Sequence, residues 1–519
     1  MKNKKENIII VLLIILLELV SIFFVRPKTF VKIKSILSFF IINFIFIVSL
    51  FLIFKIIIYI YKKIRNKDLF YINFIKYTII YAIILFLFLI IIYPGYWLYD
   101  ELWIIIYVKN YMLAGWQSYI SVILYTMSLY IIPNPVGIEI FQIIIISAIM
   151  GYVQTRIKYL FNKKIYNLIL QLIFITPVFL INNLYLLRSS LYAYLVLFFY
   201  CIIICDYIEK NKMTKKKFIL LLIVTFFMIN WRSEGIVFLF CNIFCILFTY
   251  KETRNLKKIS IIVLAILTPM ITYSRICSDK AYGATTTVLP LSIMLNEKLD
   301  GKNIKQDINN IDKVFNVMKL KEYPNYHYIE AYWDGNIKRK NLYDNINVKF
   351  YKSFFDIVIN NFNKFLKVRF KVFKYTFLNI EYPNNCYRAY LNNYELPYPA
   401  KAIVKEVVPH YKMYPINKNL KISVESLLVE NTAMMYIFWT GVSIIIFIGL
   451  FGIMILCLFR KNWLLLVMIC SLFMKMVITF FTSTASYFMY YFTEYTVGIF
   501  IIFIYLSLTY TKKKRKKEK

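Results

Sequence analysis

Apolar runs of about twenty residues recur along this chain, and no other feature restricts its fold as strongly. A helix that crosses the hydrocarbon core of a bilayer needs roughly 20 such residues. In that medium only helices and closed barrels satisfy every backbone N–H and C=O. Runs at 7–25, 36–61, 76–93, 166–182, 189–207, 217–231, 234–250, 258–274, 433–459, 463–481 and 487–510 therefore predict an all-α polytopic membrane protein. Of the 519 residues, 60% are hydrophobic, above the roughly 45–50% of soluble domains.

Region 119–155 is too long for one span and is interrupted by Pro133-Asn134-Pro135, where missing donors and ring clashes end a helix. It holds either two crossings or one crossing plus a re-entrant or interfacial piece. Charge chooses between these readings. Basic segments stand at Lys2–Lys5, Lys62–Lys67, Arg156–Lys164, Lys210–Lys217, Lys251–Lys258, Arg460-Lys461 and Lys512–Lys519. One net crossing in 119–155 places all of them in the cytoplasm, as the positive-inside rule requires. The expectation is about twelve crossings with both termini inside. The start, MKNKKENIIIVLLIILLELVSIFFV, is basic and then apolar like a signal peptide, but it has no small-residue cleavage site and contains Glu18. It reads as a retained first span.

The formal net charge is +36, from 63 Lys+Arg against 27 Asp+Glu. In a soluble chain this would suggest nucleic acid. Here the basic residues sit in short segments between spans, where they set topology and meet anionic lipid. Nucleic acid is not an expected partner; membrane lipid is. Cysteines at 201, 205, 241 and 245 fall in apolar runs, where they behave as small hydrophobes. Only Cys277 and Cys386 lie in a polar region, and the two histidines, His327 and His410, form no zinc pattern.

Three regions follow: an N-terminal membrane region 1–274 with a first outer loop at 94–118, one extracytoplasmic insert at 275–432, and a C-terminal membrane region 433–519 ending in a basic cytoplasmic tail. Within the insert, 348–378 spaces Phe350, Phe354, Ile357, Phe362, Phe365 and Phe370 by three and four residues, with Lys352, Lys364, Lys367, Arg369 and Lys371 among them. That pattern suits a helix lying in the outer interface, or one packed in a small extracellular subdomain.

This topology collects polar groups on the outer face. YPGYWLYDELW (93–103) carries Asp100 and Glu101 just where a span leaves the lipid. Paired carboxylates can supply a general base or a charge partner, and they could also hold a divalent cation. Adjacent helical side chains diverge by about 100°, so one acid faces a substrate while the other orients a neighbour or meets water. Pro94-Gly95 favours a turn followed by a short helix from about Leu98, and Asp100 is the expected base. The ordinary alternative is a membrane-exit acid within an aromatic belt. Gln117, in AGWQS, could hydrogen-bond a sugar hydroxyl or a phosphate. NWRSEG (230–235) places Arg232 and Glu234 at the bilayer edge, where charges are paired or functional; an ion pair closing a tight hairpin is the plainer reading. Arg188, in LLRSS, could bind phosphate bidentately. Lys475 could do the same or snorkel to the interface, and Arg388 is a further basic residue in the insert.

The YPG…YDE setting, the aromatic–Gln turn, the R-x-E-G hairpin and the late loop with tyrosines resemble GT-C-fold glycosyltransferases, membrane enzymes that use polyprenyl-phosphate-linked sugars. Asp100-Glu101 resembles the first-loop "DE" motif of protein O-mannosyltransferases. The run from Tyr93 to Pro135 is similar to bacterial relatives with surface-polysaccharide functions. The family's His-Pro-Pro element is absent; Trp116-Gln117-Ser118 stands there instead, which leaves acceptor and donor sugar open. The resemblance implies a GT-C-like fold, a polyprenyl-phosphate sugar donor, a glycan or lipid-linked acceptor, and inverting attack with Asp100 as base. Arg232, Arg188, Gln117, Glu234 and Lys475 would surround the donor phosphate and sugar. A surface-polysaccharide polymerase and a lipid-linked saccharide flippase are the competing functions. A flippase would carry charges at mid-membrane depth and often a repeat; this chain keeps its charges at span ends and shows no repeat.

Overall fold

The computed structural model describes residues 2–30, 33–97, 99–113, 118–186, 188–250, 283–322, 337–342, 346–378 and 415–517. In chain order its main helices are α1 (Glu6–Val25), α2 (Ile36–Arg65) and α3 (Leu69–Ile92), then the shorter α4 (Tyr99–Lys109) and α5 (Tyr119–Ile131). Next come α6 (Val136–Phe161), α7 (Lys164–Ile173), α8 (Pro177–Asn183), α9 (Arg188–Glu209), α10 (Lys215–Trp231) and α11 (Ile236–Thr249). The insert contributes α12 (Thr285–Met294), α13 (Ile346–Asn360), α14 (Phe362–Phe373) and α15 (Lys418–Glu425). The chain closes with α16 (Thr432–Phe459), α17 (Trp463–Thr482) and α18 (Phe492–Thr511).

Among the described residues, eight of these helices (α1, α2, α3, α6, α9, α16, α17 and α18) are long and apolar enough to cross a membrane, and no strand occurs. The protein is an all-α polytopic membrane protein. Starts and stops follow local chemistry. Ser35 caps α2 by accepting from Ser38 N, Asp68 caps α3 by accepting from Phe70 N, and Asn162 ends α6 in the left-handed conformation (φ 50°).

Three predicted spans, 166–182, 217–231 and 234–250, come out differently, while 119–155 holds one helix of spanning length, as expected. The 119–155 region breaks at its prolines into α5, of 13 residues, and α6, of 26. At 1.5 Å per residue α5 covers only about 20 Å, so of the two only α6 has spanning length. The run 166–182 is not one straight helix. Pro177 has no N–H to donate and holds Thr176 extended (ψ 160°), so α7 and α8 meet at 65°. Helices α10 and α11 have 17 and 14 residues, because the NWRSEG hairpin consumes chain between them. The 258–274 span lies outside the described residues.

Helix α9 is enclosed, packing on α18, α6 and α10, and its Tyr192, Tyr194, Val196 and Tyr200 are fully buried. By contrast α1 and α2 turn Leu12, Phe24, Leu37 and Phe40 outward, as a lipid-facing surface does. In the insert, Phe350, Phe354, Ile357 and Phe365 enter a second core with Val288, Leu289 and Phe315, while Phe362 and Phe370 stay exposed. That core docks on the bundle through α14. Arg369 is buried there and donates to the carbonyls of Ser483 (2.8 Å) and Thr286 (3.0 Å).

Candidate functional site

Helix ends bring the site together. Asp100 lies in the first turn of α4 and Arg188 opens α9; Arg232 and Glu234 form the α10–α11 turn; Lys475 lies two turns before the end of α17. The α17–α18 turn then supplies Tyr490, and the first turn of α18 supplies Glu494.

Contacts link these segments in series. Arg232 Nε donates to Glu234 Oε1, and the Arg232 guanidinium lies 5.8 Å from the Tyr490 ring centroid. Lys475 Nζ donates to Tyr490 O (2.9 Å) and to both Glu494 oxygens (3.0 and 3.1 Å). Thr484 and Tyr490 share a hydroxyl hydrogen bond at 3.0 Å. Tyr192 on α9 is fully buried between these groups; its Oη stands 3.2 Å from where a Cβ on Gly235 would be.

Electrostatics joins Asp100 and Arg188 to the same cluster. Burial raises the Asp100 pKa above the ordinary carboxylate value and the Arg188 charge offsets part of that rise. Burial would raise Glu234 too, but Arg232, Lys475 and Arg188 outweigh it and bring its carboxyl down to about 2. Burial works against the Arg232 charge, and Glu234 more than restores it, so this pKa rises. Tyr490 is raised by burial and feels Arg232, Asp100 and Arg188 at once.

Five of the residues singled out in the sequence (Asp100, Arg188, Arg232, Glu234 and Lys475) thus converge. Glu101 is buried next to Asp100 in the chain, within electrostatic reach of Tyr125 on α5. Gln117 lies outside the described residues, as do Arg388, His327, His410, Cys277 and Cys386. Lys475 does not snorkel. Its side chain is 1% exposed and its ammonium is held inside the bundle by Glu494. Glu494, Tyr490 and Tyr192 were missed. A lone acid near the start of an apolar run was the available signal for Glu494, since ionisable groups at span depth are functional or paired.

The pairing pattern divides the labour among the cations. Arg232 and Lys475 each hold a contact ion pair. Among the described residues Arg188 has none, and it remains partly accessible. It is the guanidinium most able to accept a phosphate. The described residues contain no group of three or more His, Cys, Asp or Glu side chains placed for a metal ion. With the Arg188 charge already acting on Asp100, these described residues do not fit a divalent cation, and no step is routed through one.

No family model, curated protein or solved structure matches the chain.

Proposed function

We propose that this chain is a GT-C-type membrane glycosyltransferase that moves a sugar from a polyprenyl-phosphate donor to a lipid-linked or cell-surface glycan acceptor. The observation that carries the reading is a partly accessible carboxylate, Asp100, under the charge of a guanidinium, Arg188, that holds no contact ion pair among the described residues, beside the paired charges of Arg232, Glu234, Lys475 and Glu494. In this reading the chain crosses the membrane about twelve times with both termini in the cytoplasm, and the site faces outward.

Asp100 accepts the proton of the acceptor hydroxyl as that oxygen attacks the anomeric carbon. The new C–O bond forms as the bond to the donor phosphate breaks, with inversion, and the polyprenyl phosphate departs with the released electron pair. Arg188 receives the charge that develops on the leaving phosphate, where a preorganised cation contributes most. A carboxyl lifted toward the working pH is a better base than an unperturbed one, because its conjugate acid takes the proton with more driving force. Arg232 and Lys475, held by their own acids, keep the surrounding field fixed. The insert 275–432 would contribute to acceptor choice.

The test compares lipid-linked sugars and surface glycans in cells carrying wild type or Asp100→Asn at matched protein level, by mass spectrometry. The expected result is loss of one sugar from a glycan while its polyprenyl-phosphate donor persists. Unchanged glycans and donors would remove Asp100 as the base and the transferase reading with it. Full activity in Asp100→Asn combined with loss in Arg188→Gln would favour a polymerase that uses arginines alone.

A further inference from the structure

Every carbonyl in the buried segment 183–186, which leads into Arg188, has a donor. Gln142 Nε2 on α6 donates to Asn183 O (2.8 Å) and Tyr185 O (2.7 Å). Tyr96 N donates to Leu184 O (3.2 Å) and Tyr125 Oη on α5 donates to Leu186 O (2.7 Å). Three of these four bonds come from two buried side chains on other helices. Chain that leaves one helix and has not yet begun the next has no helical ladder for its carbonyls, and unpaired buried carbonyls are costly. Exposing the loop would avoid that cost; here two polar side chains hold it inside instead.

The same segment is tied to the one that leads into Asp100. Tyr96 and Tyr185 form a parallel bridge, and their rings stack at 5.5 Å and 13°. Asp100 follows Tyr96 by four residues and Arg188 follows Tyr185 by three, each in the first turn of a helix. The bridge therefore sets one helix start against the other. Glu139, one turn before Gln142 on α6, presses its carboxylate on Gly95, where any Cβ would overlap it and φ is +92°. One face of α6 thus touches both segments.

We propose that Gln142 and Tyr125 are positioning residues that hold Arg188 in register with Asp100. The catalytic meaning of this register rests on the glycosyltransferase reading; the register itself can be read without any sugar. Four groups act on or adjoin Asp100: Arg188 from α9, Tyr490 from the α17–α18 turn, Tyr125 from α5, and its chain neighbour Glu101. Of these, Arg188 is the one that favours the carboxylate.

A hydrophobic carbodiimide reacts with protonated carboxyls, so the pH midpoint of Asp100 labelling in purified protein, mapped by peptide mass spectrometry, reports its titration. Arg188→Gln sets the full upward shift of that midpoint. Gln142→Met keeps the side-chain shape without its donors, and we expect it to move the midpoint up toward the Arg188→Gln value. Adding Arg188→Gln should then shift it little further. Tyr125→Phe, which deletes only a hydroxyl, should shift it in the same direction and by less. Melting curves identify which variants are folded, and Tyr125→Phe carries the test should Gln142→Met not fold. A folded variant of either kind with a wild-type midpoint overturns the proposal. Shifted midpoints together with glycans unchanged by Asp100→Asn would keep the positioning role and remove the transferase reading.

Discussion

Glu234 sits mostly buried in its turn, yet its carboxyl is held at about 2 because Arg232, Lys475 and Arg188 surround it. A folded-state value below the ordinary 4.5 means that this group stabilises the fold above about pH 4.5. That stabilisation fades as the pH falls toward 2. Glu234→Gln therefore removes it at neutral pH and leaves Arg232, itself 6% exposed, without its counter-ion. Breaking one partner of a buried pair costs about 3 kcal/mol. Thermal unfolding in detergent should show that loss at neutral pH and a smaller difference between wild type and variant in strong acid. An equal difference at both would show that Glu234 acts by shape alone. Lys475 and Glu494 are more buried, at 1% and 0%. Lys475→Met alone should cost as much as Glu234→Gln. Lys475→Met with Glu494→Leu should recover most of that stability, since an apolar pair of similar volume replaces a buried ion pair well. Glycan analysis of the double variant then separates fold from function: restored stability with lost product assigns the pair to the site, whereas restored product assigns it to packing.

At the scale of elements, helix contact depends on small residues, because lipid supplies no hydrophobic drive for one helix to meet another. Gly151 on α6 lies against α3 so closely that a Cβ would overlap Thr78 Oγ1 and come within 2.8 Å of Thr78 N. Gly452 on α16 has nothing within 4 Å of its Cβ position. Gly151→Ala should destabilise by about 1–3 kcal/mol through overpacking, while Gly452→Ala should be neutral or slightly stabilising, as Ala is the better helix former. Equal melting temperatures for the two variants would mean that α3 and α6 are not closely packed. These contacts also mark what the sequence could reveal. Hydrophobic run length identified the long helices, and the proline pair identified the break before Val136. The 65° bend at Pro177 was not anticipated, although the residue was visible, because the surrounding run reads as one apolar span. The pairing of Tyr96 with Tyr185 carries no local signal at all; it arises from side chains on α5 and α6 far along the chain.

For the whole molecule, the site depends on helix ends that lie far apart in sequence and meet at one end of the bundle. Charge types placed at span ends pointed to Asp100, Arg188, Arg232 and Glu234, because ionisable groups are costly at membrane depth. Partner choice was less visible: Lys475 could have reached for the interface, and only the three-dimensional packing joins it to Glu494. Sidedness follows from a different property, the distribution of basic loops, and it can be tested independently of chemistry. The exposed Lys212 lies in the basic loop between α9 and α10, and the exposed Lys302 lies in the insert. If the basic loops are cytoplasmic, Lys302→Cys should react with a membrane-impermeant maleimide in intact cells. Lys212→Cys should react only after permeabilisation, each measured over the labelling of the unmodified protein. Reversed labelling would place the Asp100–Arg188 end in the cytoplasm, where soluble nucleotide sugars are as accessible as lipid-linked ones, and the case for a polyprenyl-phosphate donor would lose its topological support. The expected pattern would instead put the site on the side where a sugar donor has to arrive on a membrane carrier, and the proposed polyprenyl-phosphate substrate would then keep its topological support.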